Sequence, residues 1–253
     1  MSEWTLFALL AGAFGAGFVD AVVGGGGLIQ VPLLFSLLPG QPPATLFGTN
    51  KIASIFGTGT ASVQYARRIA LDRNLVLIGA GCALFGAWWG ARMVSYLDPT
   101  IVRPLVLVLL IAVAAYTFRN KNFGTTPAVA LGHRQGFSRI IPIALCVGFY
   151  DGFLGPGTGS FFIFLLIRFL GMDFLRASAT AKILNFATNL AAISFFAFTG
   201  AVLWSVGLAM AVANIAGAVT GSTLALRHGA GFVRRIFITV VVALIAKMAY
   251  ELL

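Results

Sequence analysis

Apolar residues fall into runs at about 4 to 23, 28 to 38, 44 to 66, 74 to 96, 101 to 118, 138 to 154, 159 to 170, 175 to 199, 203 to 226 and 232 to 252. A helix crossing the hydrocarbon core of a bilayer takes about 20 apolar residues, so most of these runs predict spanning helices. The runs at 28 to 38 and 159 to 170 are too short to cross a core about 30 Å thick at a rise of about 1.5 Å per residue. Both are entered through helix-interrupting residues: Gly24, Gly25, Gly26 and Gly27 in one case, and Gly155, Pro156 and Gly157 in the other. The pattern predicts two hairpins with glycine-rich tips inside the membrane, each broken or re-entrant, with both ends on one side.

The runs repeat. GFVDAVVGGGG from Gly17 aligns with GFYDGFLGPGT from Gly148, an offset of 131 residues (148 − 17). Without a gap, the same offset pairs Thr49 with Thr180, Lys51 with Lys182, Gly86 with Gly217, Gly90 with Gly221 and Val102-Arg103 with Val233-Arg234. The expected fold is all-α and polytopic, built from two repeats of about five helical segments: one glycine-tipped hairpin and three spanning helices each. Residues 1–118 form the first repeat, 119–137 a cytoplasmic linker and 138–253 the second repeat.

Composition agrees with a bilayer as the main solvent. The 253 residues are 59% hydrophobic and 9% charged, against about 25% charged in an ordinary soluble domain. A net charge of +10 would suggest nucleic acid in a soluble protein, but here the basic residues sit in short loops, which is a topology signal. No nucleic-acid partner is expected. Twelve of the 17 Lys and Arg residues lie on one side in the traced topology: Arg67, Arg68, Arg73, Arg119, Lys121, Arg134, Arg139, Arg168, Arg176, Arg227, Arg234 and Arg235. The positive-inside rule makes that side cytoplasmic. Tracing the chain from there places both termini outside and turns the second half over relative to the first, so the repeats are inverted. Inverted repeats with broken helices place a substrate site near the midplane and expose it alternately to the two sides. MSEWTLFALL has no basic n-region, so it is expected to be a retained first segment and not a cleaved signal.

Four ionisable residues lie deep in the apolar runs: Asp20, Lys51, Asp151 and Lys182, two per half at matching positions. Each costs at least about 2.5–3.5 kcal/mol at the centre of a membrane helix. Two readings account for them. In one, each aspartate neutralises a nearby lysine and the role is structural; in the other, the lysines face a central cavity and attract an anion. Thr49, Asn50 and Ser54 surround Lys51, and Thr180 and Asn185 surround Lys182, a donor set suited to a tetrahedral oxyanion or a carboxylate. Lys51 with Ser54, and Lys182 with Asn185, share a helix face, and Asn189 extends the second stripe. The glycine tips add backbone N–H groups and a helix N-terminus, which favour anions, although glycine equally serves close helix packing. Asp20 and Asp151 are either proton carriers or permanent counter-ions. Gln30 and Gln64 are further polar residues with packing or loop roles equally open.

His133 and His228 lack a second ligand at metal spacing, and no metal or other cofactor is expected. Cys82 and Cys146 read as small thiols in apolar runs. Trp4, Trp88, Trp89 and Trp204 read as interface or packing residues. No G-x-x-x-x-G-K-[ST] loop occurs, which argues against ATP-driven transport within the chain.

The two glycine-rich hairpin motifs, followed by GTNKIAS and ATAKILN, resemble the TauE/SafE family of sulfite and organosulfonate exporters over nearly the whole chain. The resemblance implies cofactor-free export of a small sulfur-containing anion across a bacterial inner membrane; the expected driving force is a proton gradient, with protons as coupling ion, or the membrane potential. Carried onto matching positions, it implies substrate contacts from Gly24 to Gly27, Gly155, Gly157, Thr49, Asn50, Lys51, Thr180, Lys182 and Asn185. Ala181 stands where the first copy has Asn50, and Pro156 where it has Gly25, so the pocket is expected to be uneven. An anion channel of the same architecture and an intramembrane aspartyl enzyme using Asp20 and Asp151 are the alternatives, the latter disfavoured because both aspartates precede their glycine motifs.

Overall fold

The computed structural model describes residues 2–93 and 133–252, with isolated positions 111, 117, 119 and 124 between them. The expected run at 101 to 118 and most of the linker lie outside the described residues. Among those described, every regular element is a helix: α1 (Glu3–Val23), α2 (Gly27–Leu37), α3 (Pro43–Ala66), α4 (Arg73–Arg92), α5 (His133–Phe153), α6 (Thr158–Leu170), α7 (Phe174–Phe198) and α8 (Trp204–Leu252). α5 starts at His133, inside the stretch assigned to the linker. The last two expected runs are two helical stretches of α8 that meet at a kink at Gly229, whose φ of 71° and ψ of −169° leave the helical region.

Local sequence sets the helix ends. Ser2 caps α1 by accepting from Thr5 N–H, and Asp72 and Asp173 cap α4 and α7 from Leu75 and Arg176 N–H. Pro43 opens α3, where a missing N–H costs nothing. Gly24 ends α1 in the left-handed conformation (φ 78°), returning its N–H to Asp20 O. α1, α4, α7 and the stretch Trp204–Ala243 of α8 are long and apolar enough to cross a membrane. α2 and α6, with 11 and 13 residues, reach only about 17–20 Å.

Each short helix folds back on the helix before it. Leu33 of α2 packs at Gly12 of α1, and Gly26 packs at Ala16. Arg139 at the start of α5 donates to Phe169 O at the end of α6 (2.6 Å), while the Tyr150 and Phe161 rings meet near the turn (5.3 Å). Both pairs are therefore antiparallel hairpins, as the glycine-interrupted runs predict.

Between the halves, contacts obey the 131-residue offset. A Cβ on Gly86 would overlap the Leu145 carbonyl, and one on Gly217 would overlap that of Phe14. Gly90 and Gly221 stand in the same relation to Phe149 and Phe18. α4 thus lies along α5 as α8 lies along α1, with backbones so close that only glycine fits, the packing by which membrane helices associate. At the centre, α3 crosses α7 antiparallel: Gly48 faces Phe196, Gly59 faces Phe186, and Thr58 meets Asn189.

Candidate functional site

Two hairpin tips meet at the centre of the protein. Gly24 packs on Gly159, Gly27 on Pro156 and Gly157 on Leu28, and Ser160 N–H donates to Gly24 O at 3.1 Å. A helix end leaves its last carbonyls unpaired, and in an apolar interior that is costly. Here side chains from other elements complete them: Tyr65 Oη donates to Ala21 O (2.9 Å), Ser178 Oγ to Val22 O (3.1 Å) and Ser160 Oγ to Val23 O (2.9 Å). At the second tip Tyr150 Oη donates to Pro156 O (2.6 Å) and Thr158 Oγ1 to Gly155 O (2.7 Å). The tips are fixed backbone structures.

The four buried charges form two ion pairs, and each pair joins the two halves. Lys51 Nζ lies 2.7 Å from Asp151 Oδ2, and Lys182 Nζ lies 2.8 Å from Asp20 Oδ2. The 131-residue offset maps one pair onto the other. Each carboxylate sits in the last turn of the helix leading into a tip, so each lysine also lies beside a helix C-terminus, the favoured end for a cation. Gly155 holds the Lys51 ammonium close, since a Cβ there would stand 3.4 Å from Nζ. Exposure differs: the Lys51 and Asp151 side chains are 5% and 3% exposed, whereas Lys182 is fully buried and Asp20 is 15% exposed.

From each lysine a polar stripe runs along its helix, Lys51–Ser54–Thr58 on α3 and Lys182–Asn185–Asn189 on α7, with steps of three and four residues that share a face. The stripes touch where the helices cross: Asn189 Nδ2 lies 3.4 Å from Thr58 Oγ1 and 3.3 Å from Asn185 Oδ1. Because α3 and α7 are antiparallel, the lysines sit on opposite sides of this crossing, roughly 20 Å apart along the axes. The sequence-predicted residues thus fall into two sets, one around each lysine.

The predicted donors divide in use. Thr49 Oγ1 donates to Thr45 O (2.7 Å) and accepts from Leu203 N–H (2.9 Å), fastening α3 to the start of α8. Thr180 is buried with Met172 Sδ as its contact at 3.8 Å. Asn185 Oδ1 accepts from Asn189 and from Thr188 Oγ1 (3.4 Å). Asn50 Oδ1 is buried with no partner among the described residues. Gln30 Oε1 accepts from Asn214 Nδ2 (3.0 Å), while Gln30 Nε2 is buried without a partner among the described residues. Gln64 Oε1 accepts from Ser222 Oγ (2.7 Å). Asn214, Tyr65 and Ser178 went unremarked in the sequence because a single polar residue in an apolar run gives no hint of its long-range partner.

The family model described as "Sulfite exporter TauE/SafE" matches residues 9–248. The chain belongs to this family. Among its relatives, "Probable membrane transporter protein ORF9" of Sinorhizobium sp is 37% identical over 246 residues, covering 95% of this chain and 90% of that one. "Probable membrane transporter protein YfcA" of Escherichia coli strain K12 is 32% identical (93% and 86% covered), and a "Probable membrane transporter protein" of Haemophilus influenzae is 33% identical (94% and 92% covered). No solved structure matches the chain. The protein is thus a multi-pass membrane transporter of the TauE/SafE family. These names indicate a transporter rather than an enzyme, and the geometry points the same way: Asp20 and Asp151 each pair with a lysine and not with each other, as a shared-proton carboxylate dyad would require.

Proposed function

We propose that this TauE/SafE transporter is a secondary carrier that exports a small sulfur-containing anion, sulfite or an organosulfonate such as sulfoacetate, across a bacterial inner membrane. The observation that carries the reading is the pair of cross-half ion pairs, each placed where a glycine tip of one half meets the polar stripe of the other. Groups buried this deep in a membrane protein are costly and mark substrate paths by default. The family description supplies the substrate class.

In this reading the halves are inverted, with both termini on the exterior face, and the carrier works by alternating access. The equivalent contacts of the two halves and the antiparallel crossing of α3 and α7 support it, because each half can then adopt the other's arrangement. Lys51, with Asn50, Gly155 and Gly157, forms one half-site; Lys182, with Asn185 and Gly24 to Gly27, forms the other. Thr49 and Thr180 stand behind them as support. Asn50 Oδ1 and Gln30 Nε2, buried without partners among the described residues, are suited to a substrate's hydroxyl or oxygen atoms.

Proteoliposomes loaded with sulfite or sulfoacetate are expected to release it faster than protein-free vesicles, with saturation and at rates below those of a channel. Lys51→Ala and Lys182→Ala are each expected to lower the flux at least tenfold. Wild-type flux in both variants would remove the site assignment, and unitary currents would replace the carrier with a channel.

A further inference from the structure

Both lysines proposed to attract the anion are already neutralised, at 2.7 and 2.8 Å, by carboxylates of the opposite half. An anion arriving at an intact Lys–Asp pair would add one uncompensated negative charge to a buried site, next to a carboxylate that repels it and a helix C-terminus that does the same. We infer that each pair is a joint proton and anion site: a proton from water binds the Asp carboxylate, the ion pair opens, and the freed ammonium takes the anion. The inference rests on the carrier reading above and adds its coupling ion.

The charges balance. Before loading, the site holds one ammonium and one carboxylate; after loading, it holds one ammonium, one neutral carboxylic acid and one monoanion. Both states are neutral, whereas a proton alone or an anion alone leaves one unpaired buried charge, which a low-dielectric interior opposes. Only the empty and the doubly loaded forms then reorient readily, so proton and anion travel together in the same direction. Export runs on the outward gradient of the anion and is electroneutral for a monoanion.

Among the described residues, the surroundings offer few competing groups. Lys182 from α7 and Tyr65 from α3 face Asp20, and Tyr65 spends its hydroxyl hydrogen on Ala21 O. Lys51 from α3 and Tyr150 of its own helix face Asp151, and Tyr150 donates to Pro156 O. Neither phenol donates to a carboxylate, so among these groups the aspartates are the proton acceptors. Asp20 is 15% exposed against 3% for Asp151.

The test uses the full chain in liposomes with an alkyl sulfonate, methanesulfonate, whose own proton does not titrate near neutrality. An inward proton gradient at zero membrane potential is expected to drive uphill methanesulfonate uptake, with one proton consumed from outside per anion, and a valinomycin-clamped potential is expected to leave the flux unchanged. Asp20→Asn and Asp151→Asn, which fix the neutral form, are expected to bind the anion independently of pH and to lose proton-driven accumulation. Saturable, potential-driven methanesulfonate flux with no proton movement in the wild-type protein would overturn this inference while leaving the carrier reading intact. Absence of saturable flux for methanesulfonate, sulfite and sulfoacetate alike would remove both. The wild-type proton count stands even where an Asn variant fails to fold.

Discussion

The two ion pairs occupy equivalent positions and sit in unequal surroundings. Beside Lys51 lies Asn50, and beside Lys182 lies Ala181 at the matching position; Gln30 and Asn214 of one set answer to Phe161 and Ala83 of the other. Ser178, Ser160 and Tyr65 seal the carbonyls of the first tip, and the position matching Tyr65 is Phe196. The buried charges and the glycine seams keep the register fully, and Thr49 keeps it with Thr180. A buried charge and a backbone contact each tolerate a single solution, a partner of opposite sign or the absence of a side chain. A neutral polar lining tolerates many, and so it has diverged.

The largest way to break this comparison is to strip one charge. Lys51→Ala leaves Asp151, 3% exposed, without a partner, and it is expected to destabilise the protein by about 3–5 kcal/mol. Lys182→Ala leaves Asp20 partly exposed, and the loss is expected to be smaller. Thermal unfolding of the two variants in one detergent checks the order, and equal losses would show that the pairs share one environment.

The glycine seams come next. Gly86→Ala and Gly217→Ala each force a methyl group into a carbonyl of the other half, and each is expected to cost about 1–3 kcal/mol, the two within error of one another. Gly15 and Gly81 have open space at the same atom, so alanine there is expected to be neutral or mildly stabilising. A twofold difference in unfolding free energy between Gly86→Ala and Gly217→Ala would show that the packing does not follow the repeat.

Tyr65→Phe removes the hydrogen bond to Ala21 O that the second tip lacks at Phe196, with an expected loss of about 0.5–1.5 kcal/mol. Asn50→Ala is the smallest in stability, within about 1 kcal/mol of wild type, because its Oδ1 has no partner to lose among the described residues. Its effect is expected in transport instead, as a several-fold rise in KM for the anion in proteoliposomes. A large stability loss with unchanged KM would make Asn50 a packing residue.

Much of this architecture is legible in the sequence. Helix ends fell within a few residues of the apolar runs because Gly24, Pro43, Asp72, Gly171 and Asp173 are local signals that need no distant partner. The short runs at 28 to 38 and 159 to 170 became hairpins for the same reason. Gly229 fits the same rule: its non-helical φ and ψ part the last two apolar runs, 203 to 226 and 232 to 252, at a kink.

By itself, the sequence determined a membrane protein of helical segments, a repeat of 131 residues, two glycine tips and four misplaced charges. Periodicity, chain-local caps and the cost of burying charge are all written along one dimension. Only the tertiary structure decided that Lys51 pairs with Asp151 and Lys182 with Asp20, each across the halves, and that the lysines lie on opposite sides of the α3–α7 crossing. A repeat fixes which residues are equivalent, but it does not fix whether equivalent residues meet each other or exchange partners. That choice belongs to the direction in which the helices cross, which no segment encodes alone.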